Sequence, residues 1–120
     1  MTNERIYNIA KGLLDNFQSP NQVLPIRVNF YLQKNKKEIL ALAQEIDNER
    51  VAIIKRYLQT MPDGEVKVPE EQVQEVNNLL NELFSLEQEV GIYKVNLTDF
   101  GNINLTTGQM DALMFMVEGE

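Results

Sequence analysis

Ten positions in the middle of the chain, 28, 32, 35, 39, 42, 46, 50, 53, 57 and 61, follow one another in steps of four or three, and seven of them are apolar: Val28, Leu32, Ile39, Leu42, Ile46, Ile53 and Met61. That rhythm marks one face of an α-helix. Leu40, Ala43, Ile54 and Leu58 widen the stripe. The spacing predicts a helix of some 30 residues, about 45 Å at 1.5 Å per residue, longer than a compact domain of this size is wide. A rod of that length needs cover along its side, so we expect one arm of an antiparallel hairpin or a protomer of an oligomer. At its start, Ile26, Val28, Phe30 and Leu32 also alternate with Arg27, Asn29 and Gln33, so a short strand competes with helix over 26–32.

The flanking pattern is helical too. Ile6, Ile9, Ala10, Leu13, Leu14 and Phe17 recur at helical spacing, with Thr2 as N-cap and Glu4 in the first turn. Ser19-Pro20-Asn21 should end this helix near Gln18 and open a loop to about Pro25. The long arm should stop at Met61-Pro62-Asp63-Gly64, followed by a brief extended piece over 65–68. Pro69 with Glu70 and Glu71 suits a helix start. Val73, Val76, Leu80, Leu83 and Phe84, beside Leu79 and Leu86, make the returning helix amphipathic, packed antiparallel on the long arm. Beyond Gly91, Ile92, Tyr93, Val95 and Leu97 suggest a strand and 102–104 a second, giving a small β-hairpin near 92–105. Thr106 and Gln109 have capping-box spacing ahead of a short C-terminal helix with Met110, Leu113, Met114 and Val117. The expected fold is therefore mainly α: a long antiparallel helical hairpin with an N-terminal helix, a small β-hairpin and a short C-terminal helix, in one domain over 1–120 or one protomer of a helical oligomer.

Composition narrows the chemistry. The 120 residues include no cysteine and no histidine, which removes thiolate nucleophiles, disulfides, thiolate zinc sites and the commonest general base. No run of Asp and Asn resembles a calcium loop, and no cofactor is expected. We expect binding, not catalysis. The net charge of −7 is unevenly spread: residues 1–60 hold nine basic and six acidic groups, residues 61–120 two basic and twelve acidic. The halves either neutralise each other or separate an anion site from a face that repels polyanions. An acidic protein is a poor candidate for nonspecific nucleic-acid binding. No apolar run reaches membrane-spanning length, and Thr2, Asn3, Glu4 and Arg5 open an amphipathic pattern instead of a leader, so the cytosol of the cell that makes the protein is the expected location.

Polar residues that interrupt the long stripe are the candidate sites. Asn35 and Arg50 stand on its own register, where an unpaired polar group costs a few kcal/mol. They either set helix register, with Arg50 paired to Glu82 or Glu49, or line a pocket that a ligand completes. Arg27, Tyr31 and Lys34 follow at helical spacing beside Asn35, and an aromatic ring between two cations can hold a base or a ribose phosphate. The competing reading is a solvated basic face. Lys55, Arg56 and Tyr57 form a similar group at the helix end, where the cations also suit the dipole. Glu70, Glu71, Glu75, Glu82, Glu87 and Glu89 read as a soluble exterior or an imitation of a nucleic-acid backbone. Met110, Met114 and Met116, with Leu113 and Phe115, read as core filler or an adaptable docking face.

Several short motifs occur together: Lys34-Asn35 after an apolar stretch, Glu49-Arg50, Tyr57, Asp63-Gly64, Asn81-Glu82-Leu83, and a closing Leu-Thr-x-x-Gln-x-x-x-Leu from Leu105 to Leu113. Over about 90 residues this resembles short uncharacterised proteins encoded by phages and prophages of Gram-positive bacteria. The resemblance implies a viral accessory protein and assigns no site residue. On it we expect stoichiometric sequestration of a small anionic, nucleotide-derived host defence signal or of a host protein, by a chain that forms homo-oligomers. The alternative expectation is a phage scaffold or tail-assembly chaperone that associates through its helices.

Overall fold

The computed structural model describes residues 1–17 and 24–118. The turn expected at Ser19-Pro20-Asn21 lies outside them. Among the described residues the fold is mainly α, with four α-helices: α1 (Asn3–Asn16), α2 (Ile26–Tyr57), α3 (Val73–Ser85) and α4 (Thr107–Leu113). A two-stranded antiparallel hairpin, β1 (Gln59–Thr60) with β2 (Val66–Lys67), joins α2 to α3.

The central rod is unbroken. α2 runs for 32 residues, about 48 Å, and helix takes the segment 26–32 where a strand was an alternative. A strand would bury Ile26, Val28, Phe30 and Leu32 together. Instead Val28 and Leu32, four apart, are fully buried, while Ile26 is 90% and Phe30 56% exposed. Helical spacing hides the two residues that matter and releases the other two. The rod ends at Tyr57, one turn before Met61. Gly64, at φ 88°, sits in the left-handed region that the Asp63-Gly64 turn requires. The Asp63 carboxylate accepts from the Glu65 N–H at 2.9 Å, and the chain folds back so that 59–60 pairs with 66–67.

α1 and α3 both run antiparallel to α2 and lie end to end along it. Tyr57 Oη donates to Glu75 Oε1 (3.0 Å) at the far end, Tyr7 Oη reaches Asp47 Oδ1 (3.1 Å) in the middle, and Lys36 Nζ donates to the Phe17 carbonyl (2.9 Å) at the near end. Asn3 is the hinge pin. It is buried, its backbone N–H donates to Leu86 O (2.8 Å), its Nδ2 to Leu83 O (2.9 Å), and its Oδ1 accepts from Gln88 Nε2 (2.7 Å). The start of α1 thereby adds hydrogen bonds to carbonyls at the end of α3, where the helical ladder runs out. Thr2 caps α1, accepting from the Arg5 N–H at 3.1 Å.

The β-hairpin expected near 92–105 is not there; the hairpin sits at 59–67. Residues 92–100 form a strap across α2. Val95 donates its N–H to Met116 O (2.8 Å) and accepts from the Glu118 N–H (2.7 Å), a single parallel bridge to Val117. The Tyr93 N–H goes to the Asn35 side chain. Residues 97–100 then wind into a short 3-10 turn, closed by Asn96 and Asp99 in a capping box. The backbones of Tyr93 and Val95 are taken up by Asn35 and by residues 116–118, so this segment pairs away from its own neighbours and forms no hairpin. α4 begins with the expected Thr106–Gln109 capping box.

The densest core lies where α1, the first half of α2, the strap and α4 meet, around Ile6, Leu13, Leu32, Ile39, Leu113 and Met116. Leu113, Phe115 and Met116 are buried within it and Met114 packs against it half-buried, so most of the methionine-rich end serves as core. α1 approaches α4 at Gly12, where an added Cβ would stand 3.7 Å from Ala112 Cβ, an ordinary contact. Gly12→Ala should therefore stabilise the protein by up to about 1 kcal/mol through helix propensity alone. A thermal midpoint raised by about 4 °C in calorimetry is the expected reading.

Candidate functional site

Arg27, Tyr31 and Lys34 share one edge of α2, as residues four and three apart must, and the strap lays a second ring on that edge. Tyr31 and Tyr93 stack with centroids 5.3 Å apart and planes 14° from parallel. Arg27 lies 5.4 Å from the Tyr31 ring centre and directs Nε to Asp99 Oδ2 at 3.5 Å. Lys34 Nζ stands 5.1 Å from the Phe30 ring centre and 5.8 Å from that of Tyr93. The result is a stacked pair of tyrosine rings with a cation at either end, Arg27 on Tyr31 and Lys34 between Tyr93 and Phe30. Tyr93 is 49% exposed. Beside it, Lys34, Lys37, Glu38 and Ala41 line a shallow depression of about 350 Å³. A second, of about 320 Å³, shares Glu38 and Tyr93 and continues to Gly91 and Ile92.

Asn35 lies beneath this platform, not in it. Its side chain is fully buried; Nδ2 donates to Tyr93 O and Oδ1 accepts from the Tyr93 N–H, both at 2.9 Å. Met116 Sδ is a further neighbour at 3.7 Å. The amide thus acts as a one-residue strand for Tyr93, fixing the strap's register on the helix. This is the register-setting role, with strap backbone as the partner.

Arg50 stands fifteen residues further along α2, about 22 Å away, and takes no part in the platform. Its Nε donates to Asp47 Oδ1 at 2.9 Å, three residues back on the same face. The expected partners are otherwise engaged or placed: Glu49 faces Arg56 at 3.6 Å, and Glu82 is solvent-exposed. The hydrogen bond from Arg50, then that from Tyr7, holds the Asp47 carboxyl below the ordinary carboxylate value, and Asp47 in turn raises Arg50. A carboxyl with a lowered folded-state pKa contributes stability that is present above its unfolded value and lost as pH falls through the folded one. Tyr7→Phe should move the Asp47 titration upward, toward 3.8, as read from its side-chain carboxyl carbon by NMR.

Other groups settle as exterior. The six glutamates from Glu70 to Glu89 singled out above are all exposed. Lys55 and Arg56 point outward at the C-terminal end of α2. Among the described residues no cluster of acidic side chains could hold a metal ion, and no helix is long and apolar enough to cross a membrane. Sequence reasoning reached Arg27, Tyr31 and Lys34 but missed Tyr93, Lys37 and Glu38. Glu38 was within reach, since 27, 31, 34 and 38 continue one helical edge. Tyr93, 58 residues from Asn35, had no local signal at all.

The geometry defines a mainly helical protein that displays a half-exposed cation–aromatic platform. Comparison with known proteins adds no relative: no family model, no curated protein and no solved structure matches the chain.

Proposed function

We propose that the protein works by stoichiometric binding and that its ligand is a small anion bearing a flat ring, of nucleotide type, held against Tyr93. The observation that carries this is the Tyr93 ring, backed on one side by Tyr31, clamped by Asn35 and bordered by Lys34, Lys37 and Glu38. Stacking serves the ring, the two lysines serve a phosphate, and the Glu38 carboxylate accepts from an exocyclic amine. Arg27, Tyr31 and Asn35 position the platform, while Arg50 belongs to a separate ion pair. The resemblance to phage and prophage proteins supports the wider reading of a viral accessory protein, in the host cytosol, that sequesters a nucleotide-derived defence signal. Homo-oligomerisation is part of the same proposal, supported by the elongated shape, and is what an assembly role through the helices would share.

Isothermal titration with mono-, di- and cyclic nucleotides tests the ligand. Binding in the micromolar range is expected for at least one of them. Tyr93→Ala should weaken it about tenfold or more, since stacking on one aromatic is worth about 1–3 kcal/mol. No heat and no thermal stabilisation at millimolar nucleotide would end this reading.

A further inference from the structure

The strap covers one edge of α2, and the opposite edge is bare. Tyr7 identifies it, since it bonds Asp47 on α2 and packs edge-to-face on Phe84 of α3, centroids 5.5 Å apart. Helical spacing then places Leu40, Val51, Ile54 and Leu58 on the same edge of α2, and Val73, Leu80 and Phe84 on that of α3. None of these side chains is buried, although each is apolar, and Leu58 and Val73 stand out at 38% and 41% exposure. At the other end, between α1 and α2, the edge sinks into a groove of about 550 Å³ floored by Ala10, Ala43, Leu14 and Leu40.

Three observations say what covers it. The molecule measures 60 × 28 × 21 Å, with a radius of gyration of 18.4 Å, against about 14 Å for a compact chain of this length. It exposes 8015 Å², roughly 1,400 Å² beyond the area expected of a monomer of its mass. A standard interface takes about 800 Å² from each partner. Finally, this face is electrically neutral on an acidic protein. By helical spacing its charged groups are Glu4, Lys11 and Asp15 on α1 and Asp47, Arg50 and Lys55 on α2, three of each sign, whereas Glu45, Glu49, Glu75 and Glu82 fall on other faces of their helices by the same spacing. Two copies can approach here without bringing carboxylates together.

We propose that a second copy of this chain covers the face in an antiparallel dimer, whose two-fold axis crosses α2 near Val51. The raised Leu58 and Val73 of one copy then enter the α1–α2 groove of the other. The contact is made twice, as two-fold symmetry requires, and the paired rods form a four-rod bundle. The inference deepens the homo-oligomer part of the proposed function by naming its surface and symmetry, and is independent of the nucleotide.

The experiment is light scattering of the full chain with a set of variants, helped by the absence of native cysteine. Wild type at 100 µM is expected at twice 13.8 kDa, and Leu14→Glu with Val73→Glu, both at exposed positions, at the monomer mass with unchanged circular dichroism. Under oxidation Val51→Cys should cross-link to itself. Leu14→Cys and Leu58→Cys should cross-link only when mixed. A wild-type monomer at millimolar concentration overturns self-association and transfers the face to a helix of another protein. A dimer that survives the double glutamate variant keeps the oligomer but overturns this face. Self-linking of Leu14→Cys alone overturns the antiparallel arrangement.

Discussion

Asn35→Ala should lower the unfolding free energy by about 2–4 kcal/mol in urea denaturation, because two backbone groups lose their partner and each orphaned group costs roughly 1–3 kcal/mol. Those groups are the N–H and C=O of Tyr93, both 2.9 Å from the amide. Asn35→Leu, which refills the space, separates packing from hydrogen bonding. A loss close to that of the alanine variant is expected from leucine, since the Tyr93 backbone is stranded in either case. Full recovery with leucine would show that the bonds contribute nothing. The same variants should release the strap from α2 and unstack Tyr93 from Tyr31, so nucleotide affinity is expected to fall together with stability.

Ile39→Ala and Ile54→Ala should behave as different kinds of substitution, although they lie fifteen residues apart on one helix. Ile39 is fully buried, under α1, the strap and α4, and its truncation should cost about 2–5 kcal/mol. That loss is independent of protein concentration. Ile54 is only partly buried in the single chain, so its truncation should cost less than about 1.5 kcal/mol at low concentration, in proportion to the smaller area it buries. If the bare edge is a dimer face, the penalty grows with concentration, because association stabilises the folded state by mass action. Thermal unfolding across a hundredfold dilution reads both at once. Equal losses at every concentration would contradict the division of the molecule into a closed end and an open arm. Hydrogen exchange should show the same division, with the slowest amides around Ile39 and faster exchange along α3.

The elements legible in advance were those whose cause is local. Stripes at Ile6 to Phe17, Val28 to Ile53 and Val73 to Phe84 predict helices because a helical face must be apolar to be buried. Thr2 and Thr106 mark helix starts because their side chains answer N–H groups one turn on. The hairpin shows where local reasoning fails. Two segments had extended character, at 65–68 and at 92–97, and the difference between them is not a propensity. Asp63-Gly64 brings the first back on its own neighbour, while the second meets Asn35 and Val117 before it can meet itself. The candidate site divides in the same way. The cationic edge of α2 is periodic and could be read; the ring that completes it arrives from a distant loop.

What the sequence by itself determined is the long helical arm, the antiparallel return of the helix that follows it, the existence of an N-terminal helix and the restriction to chemistry without thiol or imidazole, since each follows from residue type and near-neighbour spacing. Only the tertiary structure decided that Asn35 is a clamp, that Arg50 stands apart from the platform, and which edge of α2 is left bare. A polar side chain on a helical stripe announces that it needs a partner. Which partner it finds depends on chain closure over tens of residues, where no local periodicity carries the information.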